Sequence, residues 1–247
     1  MDIRPFIDST YLKTATQAAL DENQNQIVVA NLVNEAIQES FKLVMIRPEM
    51  VVLAKKMVLA SKSNVQIGTV IDFPNGKSSI EDKLQEAKKA IEDGADELDF
   101  VCNYEAFKNG NLELVKDEIL RGTQLALDNN KIIKWIIEVA ALTDKQIIQL
   151  STLIKNVVLT NFEESNYASV FVKSSTGFYK TQNNEPNGAT IPSIIIMLEN
   201  ASPLPVKAAG GVRDYNEAVT MIKLGVKRIG TSSAKAIVNG GNNTVEY

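Results

Sequence analysis

The feature that most limits the fold of this chain is a recurrence. Short apolar or β-branched runs of strand length alternate with longer stretches of helical periodicity. The strand candidates are Phe6–Asp8, Leu43–Ile46, Gln66–Ile71, Glu97–Cys102, Ile132–Val139, Ala168–Lys173, Pro205–Ala208 and Arg228–Thr231, eight in all. Helical patterns fill the gaps at Glu49–Ser61, Ser79–Asp93, Leu112–Asp128, Thr143–Leu159, Ile191–Asn200 and Asp214–Leu224. In Ser79–Asp93 the residues Ile80, Leu84, Ala87, Ala90 and Ile91 make one apolar stripe, and Gly94 follows as a stop. Thr143 and Asp214 are expected N-caps, and Gly225 an expected C-cap. Strand–helix alternation repeated in this way predicts parallel βαβ units.

Eight such units in 247 residues predict a (β/α)8 TIM barrel, which usually takes about 250 residues. The competing architecture is an open doubly wound sheet, which commonly carries a G-x-G-x-x-G loop after its first strand. No such loop follows Phe6–Asp8 or Leu43–Ile46, so the barrel is preferred. The largely helical stretch Thr14–Ser40 reads as an N-terminal helical addition between the first two strands. No Pro- or Ser-rich linker divides the chain, so residues 1–247 are expected to form one domain.

Composition then removes whole classes of chemistry. The chain has no histidine and one cysteine, Cys102. Histidine is the usual general base near neutral pH and the commonest metal ligand, so histidine-based triads are excluded and a zinc site would need an unusual all-carboxylate ligand set. No metal is expected, and no cofactor is called for. A lone cysteine cannot form an intramolecular disulfide, in keeping with a reducing cytoplasm. A net charge of −4 speaks against nucleic acid as a partner. No apolar run approaches the ~18 residues of a membrane span, so a cytoplasmic, soluble protein is expected. Catalysis, if present, has to run on Lys, Asp, Glu, Tyr, Ser or backbone groups.

In a barrel the chemistry lies at the C-terminal ends of the strands. Reading those ends gives Asp8, Met45-Ile46-Arg47, Asp72, Asp99, Glu138, Lys173, Lys207 and Gly230-Thr231-Ser232-Ser233. Strand ends also reach water, where a single carboxylate is unremarkable. The two lysines carry more weight, because each follows an apolar run and precedes a turn of small residues: Ser169–Phe178 reads SVFVKSSTGF. Two ammonium groups at one mouth repel, and repulsion with desolvation lowers a lysine pKa from about 10.4. An amine so depressed forms a Schiff base with a carbonyl. The alternative, left open by the residues themselves, is that both lysines bind a substrate anion as plain cations. Ala208-Ala209-Gly210-Gly211 and Gly230-Thr231-Ser232-Ser233 close the seventh and eighth strands, where such barrels frequently hold a phosphate. A phosphorylated small molecule is therefore the expected partner.

Taken together, the motifs resemble the deoxyribose-phosphate aldolase family. The matching stretches are IDSTYLK (7–13), VIDFPNG (70–76), EDGADELDFVCN (92–103), FVKSSTGF (171–178), VKAAGGVRD (206–214) and KRIGTSSA (227–234), spanning nearly the whole chain in the family's order. The resemblance implies a class I aldolase on a (β/α)8 barrel that reversibly converts 2-deoxy-D-ribose 5-phosphate to D-glyceraldehyde 3-phosphate and acetaldehyde, as in deoxyribonucleotide catabolism. By motif position it implies Lys173 as the Schiff-base lysine, Lys207 as the second lysine that lowers its pKa, Asp99 as the acid/base carboxylate and Asp8 as support for the proton relay. It also implies that Thr176, Gly210, Gly211, Gly230, Ser232 and Ser233 hold the phosphate. Departures from the family are Ser9 for a frequent His, Met45 for a frequent Cys, Asp72 for a common Gly before Phe-Pro, and Ala209 for a usual Ser. Asp72 is expected to add a carboxylate near the mouth. The end of the chain, NGGNNTVEY, reads as a flexible tail, although some members of the family carry a C-terminal Tyr, here Tyr247, that reaches the site. Another Schiff-base barrel aldolase and a non-catalytic sugar-phosphate sensor are the rival functions. Oligomeric state is left open, with a homodimer as the working expectation.

Overall fold

Eight parallel strands close on one another in sequence order: β1 (Ile7–Tyr11), β2 (Leu43–Ile46), β3 (Gln66–Ile71), β4 (Glu97–Val101), β5 (Ile132–Ile136), β6 (Val170–Lys173), β7 (Val206–Ala209) and β8 (Arg228–Thr231). The β1–β8 pairing, with Asp8 level with Gly230, completes the ring. The structure is a computed structural model and describes residues 1–182 and 185–240. The predicted TIM barrel is what forms. Around it lie α1 (Ala15–Ala18), α2 (Glu22–Glu39), α3 (Val51–Ser61), α4 (Ile80–Glu92), α5 (Tyr104–Lys108), α6 (Leu112–Asp128), α7 (Asp144–Asn161), α8 (Ile191–Ala201), α9 (Tyr215–Leu224) and α10 (Ala234–Val238). The helical stretch expected over Thr14–Ser40 is present as α1 and α2, and α2 serves as the crossover from β1 to β2. None of the helices among the described residues is long and apolar enough to cross a membrane.

Local chemistry fixes most of the boundaries. Thr143 and Asp214 cap α7 and α9, their side chains accepting from the backbone N–H of Gln146 and Glu217. Gly225 ends α9 at φ +121°, a conformation that glycine adopts without a Cβ penalty. Where strand bounds differ from the sequence reading, the backbone gives the reason. Pro5 opens a 3-10 turn over Arg4–Phe6, so β1 starts at Ile7. Glu138 sits in the left-handed region at φ 56°, which ends β5 at Ile136 rather than Val139. A 3-10 turn over Glu164–Ser169 delays β6 to Val170. The five-residue helices α5 and α10 are too short to leave a periodic signal.

Strand alternation sorts the side chains into two layers. In β5, Trp135 turns outward onto α6, where a Cβ at Gly122 would come within 2.8 Å of its ring and its Nε1 donates to Thr123 Oγ1 at 3.0 Å. The outward residues of all eight strands join the helices in one continuous apolar layer. Ser9 belongs to that outward face of β1 and is buried. The inward residues are of a different kind.

Candidate active site

Charge inside a barrel is costly, since each ion gives up its hydration. Yet the inward positions of β1 and β4–β8 carry Asp8, Glu97, Asp99, Lys134, Lys173, Lys207 and Arg228, all buried. The register sets neighbours side by side: Asp99 is level with Lys134, Lys173 with Lys207, and Lys207 with Arg228. Lys173 ends its strand as expected. Asp99 is instead the middle residue of β4, and Asp8 and Lys207 are each the second residue of β1 and β7. These three rise from within the strands and meet below the mouth.

Six of the seven groups close an alternating ring. Asp8 Oδ2 lies 2.6 Å from Lys207 Nζ, which lies 2.8 Å from Asp99 Oδ2. Asp99 Oδ1 takes Lys134 Nζ at 2.7 Å, and Lys134 reaches Glu97 Oε2 at 2.5 Å. Glu97 Oε2 accepts from Arg228 Nη2 at 2.6 Å, and Arg228 Nε returns to Asp8 Oδ1 at 2.7 Å. Every cation in the ring has two carboxylates and every carboxylate two cations. Lys173 is the seventh group. Among the described residues its one carboxylate partner is Asp99, through Oδ2 at 2.9 Å, the oxygen that Lys207 also holds.

This count explains which amine gives up its charge most readily. With all seven groups ionised the interior carries one excess positive charge, and a neutral Lys173 removes it. Burial is the main cause that brings the Lys173 pKa down to about 8; Asp99 opposes it, and Lys207 and Lys134 add to the lowering. Desolvation therefore outweighs the neighbouring lysine that sequence reasoning put first. Burial by itself would raise the Asp99 carboxyl, but Lys134, Lys173 and Lys207 hold it well below the usual carboxylate range. Asp8 is likewise lowered, by Arg228 and Lys207 against its burial. Lys134 is raised, because Asp99 and Glu97 overcome its desolvation.

Part of the remaining inward wall is apolar. Leu12, Leu43, Met45 and Val70 form a separate cluster, with Phe73 and Phe178 packed on it. It adjoins the ring at both ends: Leu43 is level with Asp8, and Val70 with Asp99. Phe73 follows β3 and Phe178 follows β6, and their rings meet edge to face at 5.0 Å. An aromatic pair thus bridges two sides of the mouth.

The expected phosphate residues divide. Gly210 and Gly211 take φ of +80° and +91° in the turn after β7, where only glycine is unstrained. Thr231 Oγ1 donates to Val212 O at 3.0 Å and ties the Ser232–Ser233 turn to that loop. Ser232 is exposed and Ser233 is buried. A Cβ at Gly230 would meet Lys207 Cε and Ala209 Cβ, each at 3.1 Å, so this glycine makes room for the second lysine. Thr176 is spoken for. Its N–H donates to Glu138 Oε2 at 3.2 Å, its hydroxyl makes a very short bond to the same oxygen, and Ser175 Oγ donates to Glu138 Oε1 at 2.6 Å. Asp72 does not add charge to the mouth either. Its carboxylate accepts from Ser78 N and Ser78 Oγ, both at 2.8 Å, and its Oδ2 lies 3.4 Å from Lys83 Nζ. Tyr247 lies outside the described residues.

Sequence reasoning missed Lys134, Glu97 and Arg228. The signal was present, since Lys134 interrupts the apolar run Ile132–Ile137 and Glu97 and Arg228 open buried strands. The rule that a buried charge needs a partner applies to them as it does to Lys173.

The family model described as DeoC/LacD family aldolase matches residues 7–240. The deoxyribose-phosphate aldolase of Thermococcus gammatolerans is 39% identical over 244 residues, 98% of each chain. That of Brevibacillus brevis is 38% identical, over 99% of this chain and 98% of its own. Among solved structures, the tetrameric deoxyribose phosphate aldolase of Aeropyrum pernix superposes with a TM-score of 0.77 at 28% identity, covering 96% of this chain and 89% of that one. The aldolase QR15 gives a TM-score of 0.80 at 28% identity, over 97% and 95%.

Proposed function

This chain belongs to the DeoC/LacD family of aldolases, and we propose that it cleaves 2-deoxy-D-ribose 5-phosphate reversibly to D-glyceraldehyde 3-phosphate and acetaldehyde through a Schiff base on Lys173. Relatives named for that activity at 34–39% identity, over 96–100% of this chain, support the substrate. The observation that carries the mechanism is the odd place of Lys173: a buried amine beside a balanced ring of charges, brought down to about 8.

The neutral amine attacks C1 of the open-chain aldehyde. The carbinolamine hydroxyl takes a proton from the Lys207 ammonium and leaves as water, giving an iminium on Lys173 and an uncharged Lys207 amine that can accept the next proton. Acetaldehyde keeps C1 and C2, so the bond that breaks is C2–C3. The C3 hydroxyl gives up its proton, C3 becomes the aldehyde carbon of glyceraldehyde 3-phosphate, and the bonding pair moves into the iminium to leave an enamine. Protonation of that enamine at C2 and hydrolysis free acetaldehyde and restore the amine.

Asp99 and Lys207 divide the remaining work. The three ammonium groups around Asp99 favour a carboxylate that stays ionised, so its part is to balance the iminium as that charge forms. Lys207 shares the same Oδ2 at 2.8 Å and has Asp8 behind it at 2.6 Å, which suits it to carry the proton between the C3 oxygen and C2. The acid/base role that motif position implies for Asp99 thus moves to Lys207. Gly210, Gly211, Ser232 and Ser233 remain the candidates for the phosphate, with Gly230 making room for Lys207 and Thr176 holding the turn through Glu138.

Borohydride added with substrate, followed by peptide mapping, tests the reading. The expected result is a reduced adduct on Lys173 alone. An adduct on Lys207 instead, or substrate turnover with no adduct, would overturn it.

A further inference from the structure

One buried ammonium group has no part in this chemistry. Lys83, in the first turn of α4, is fully buried. Its Nζ donates to Gly76 O at 3.0 Å, Val101 O at 2.8 Å and Glu118 Oε2 at 2.7 Å, which uses all three protons. Those partners lie on the loop after β3, the end of β4 and α6. Glu118 also accepts from Asn103 N at 2.7 Å and so fixes the loop after β4. A charge pair of this kind adds little stability over apolar residues of the same size. What it does supply is direction: it pins a carbonyl of the loop that carries Phe73.

That loop is held from several sides. Asp72 takes φ 52°, its N–H donates to Glu86 Oε2 at 2.8 Å, and its carboxylate holds Ser78. Gly76 presses on β4 so closely that a Cβ would come within 2.6 Å of Cys102 O. Phe73 projects from this frame. Arg47 donates to its carbonyl at 3.4 Å and lies 4.9 Å from its ring centroid, and the ring meets Phe178. Phe178 comes five residues after Lys173 in the chain.

We propose that Lys83 is a positioning residue for donor selection: through the Gly76 and Val101 carbonyls and Glu118 it holds Phe73 as the fixed half of the aromatic bridge over the apolar side of the mouth. This rests on the Schiff-base reading of Lys173. The donor bound to Lys173 as its enamine then has its two carbons beside Val70, Phe73 and Phe178. A methyl group loses nothing there, whereas a hydroxyl turned toward those three side chains meets only apolar surface and pays desolvation. Shifting Phe73 by about an ångström weakens that selection.

The test compares acetaldehyde with glycolaldehyde as donor and glyceraldehyde 3-phosphate as acceptor, reading the ratio of kcat/KM values. Lys83→Met with Glu118→Leu removes both buried charges together. The expected result is a folded protein, borohydride labelling of Lys173 retained, and a preference for acetaldehyde reduced about tenfold. Phe73→Ala should cause a similar loss, and combining it with the charge-pair variant should add almost nothing, because both act through one side chain. If the charge-pair variant does not fold, the isosteric Glu118→Gln serves, with an expected loss of about threefold in the same ratio. An unchanged ratio in a folded variant, or losses that multiply with that of Phe73→Ala, would overturn the assignment to Lys83. Failure to label Lys173 in the unaltered protein would instead overturn the Schiff-base reading, so the two failures are told apart.

Discussion

The two walls of the barrel interior solve the same problem in opposite ways. Strands β2 and β3, with Leu12, fill their share with Leu43, Met45 and Val70, which need nothing but contact. Strands β1 and β4–β8 fill theirs with ions that survive burial only because each meets its counter-charge within 3 Å. The apolar wall tolerates small changes of shape, because dispersion is spread over many weak contacts. The charged wall does not, because losing one ion strands its neighbours in a medium that cannot solvate them. On the proposed mechanism, reactivity here is a matter of parity. Seven buried ionisable groups cannot pair evenly, and the amine at the strand end is the one whose single carboxylate is already shared within the ring.

Four substitutions sharpen or break that contrast. Lys173→Ala should have the largest effect. Turnover should fall by at least about 10⁴-fold with labelling abolished, while the fold is kept, because the ring it leaves behind is balanced; circular dichroism and a steady-state assay check both halves. Loss of the fold in this variant would contradict the parity argument. Asp99→Asn comes next. It removes the anion shared by three lysines, so stability should drop by about 3–5 kcal/mol and turnover by about 10²-fold or more. Since Asp99 opposes the lowering of Lys173, the acid limb of the kcat/KM profile should move to lower pH.

Lys207→Met acts in the reverse sense. Lys207 is one of the charges that lower Lys173, so without it the acid limb should move above about 8, by on the order of one pH unit. Turnover should also slow, as the proposed proton carrier is gone. An unmoved limb would separate Lys207 from Lys173 energetically, despite the carboxylate oxygen they share. Val70→Thr should be the mildest. It sets a hydroxyl beside Asp99 on the apolar wall, and competition assays should show preference for acetaldehyde over glycolaldehyde reduced by roughly tenfold or less, with the pH profile unmoved. A displaced profile would mean that the two walls are not independent.

Much of this was legible before any coordinates. The strand–helix alternation predicts the barrel, and three of the eight strands, Leu43–Ile46, Gln66–Ile71 and Arg228–Thr231, have the bounds that periodicity gives them. Lys173 declares itself, because an ammonium after Val170-Phe171-Val172 calls for an explanation. Other residues looked the same from either reading and were told apart only by their partners. Thr176 has the hydroxyl of a phosphate ligand, yet Glu138 takes both of its donors. Asp72 has the charge to alter the mouth, yet Ser78 and Lys83 draw it away. Gly230 sits in a phosphate-like turn, yet its missing Cβ serves Lys207.

The chain by itself therefore determined the architecture, the absence of histidine chemistry and the lysine to propose for the Schiff base. These depend on local patterns that a strand or a helix expresses wherever it lies. Closure of the ring was decided only by tertiary structure. Arg228 meets Asp8 across 220 positions and Glu97 across 131, and Lys207 meets Asp99 across 108. No local pattern encodes such pairings. They follow from the rotation and stagger with which eight strands close, and that geometry turns seven separate charges into one balanced set with a single amine left over.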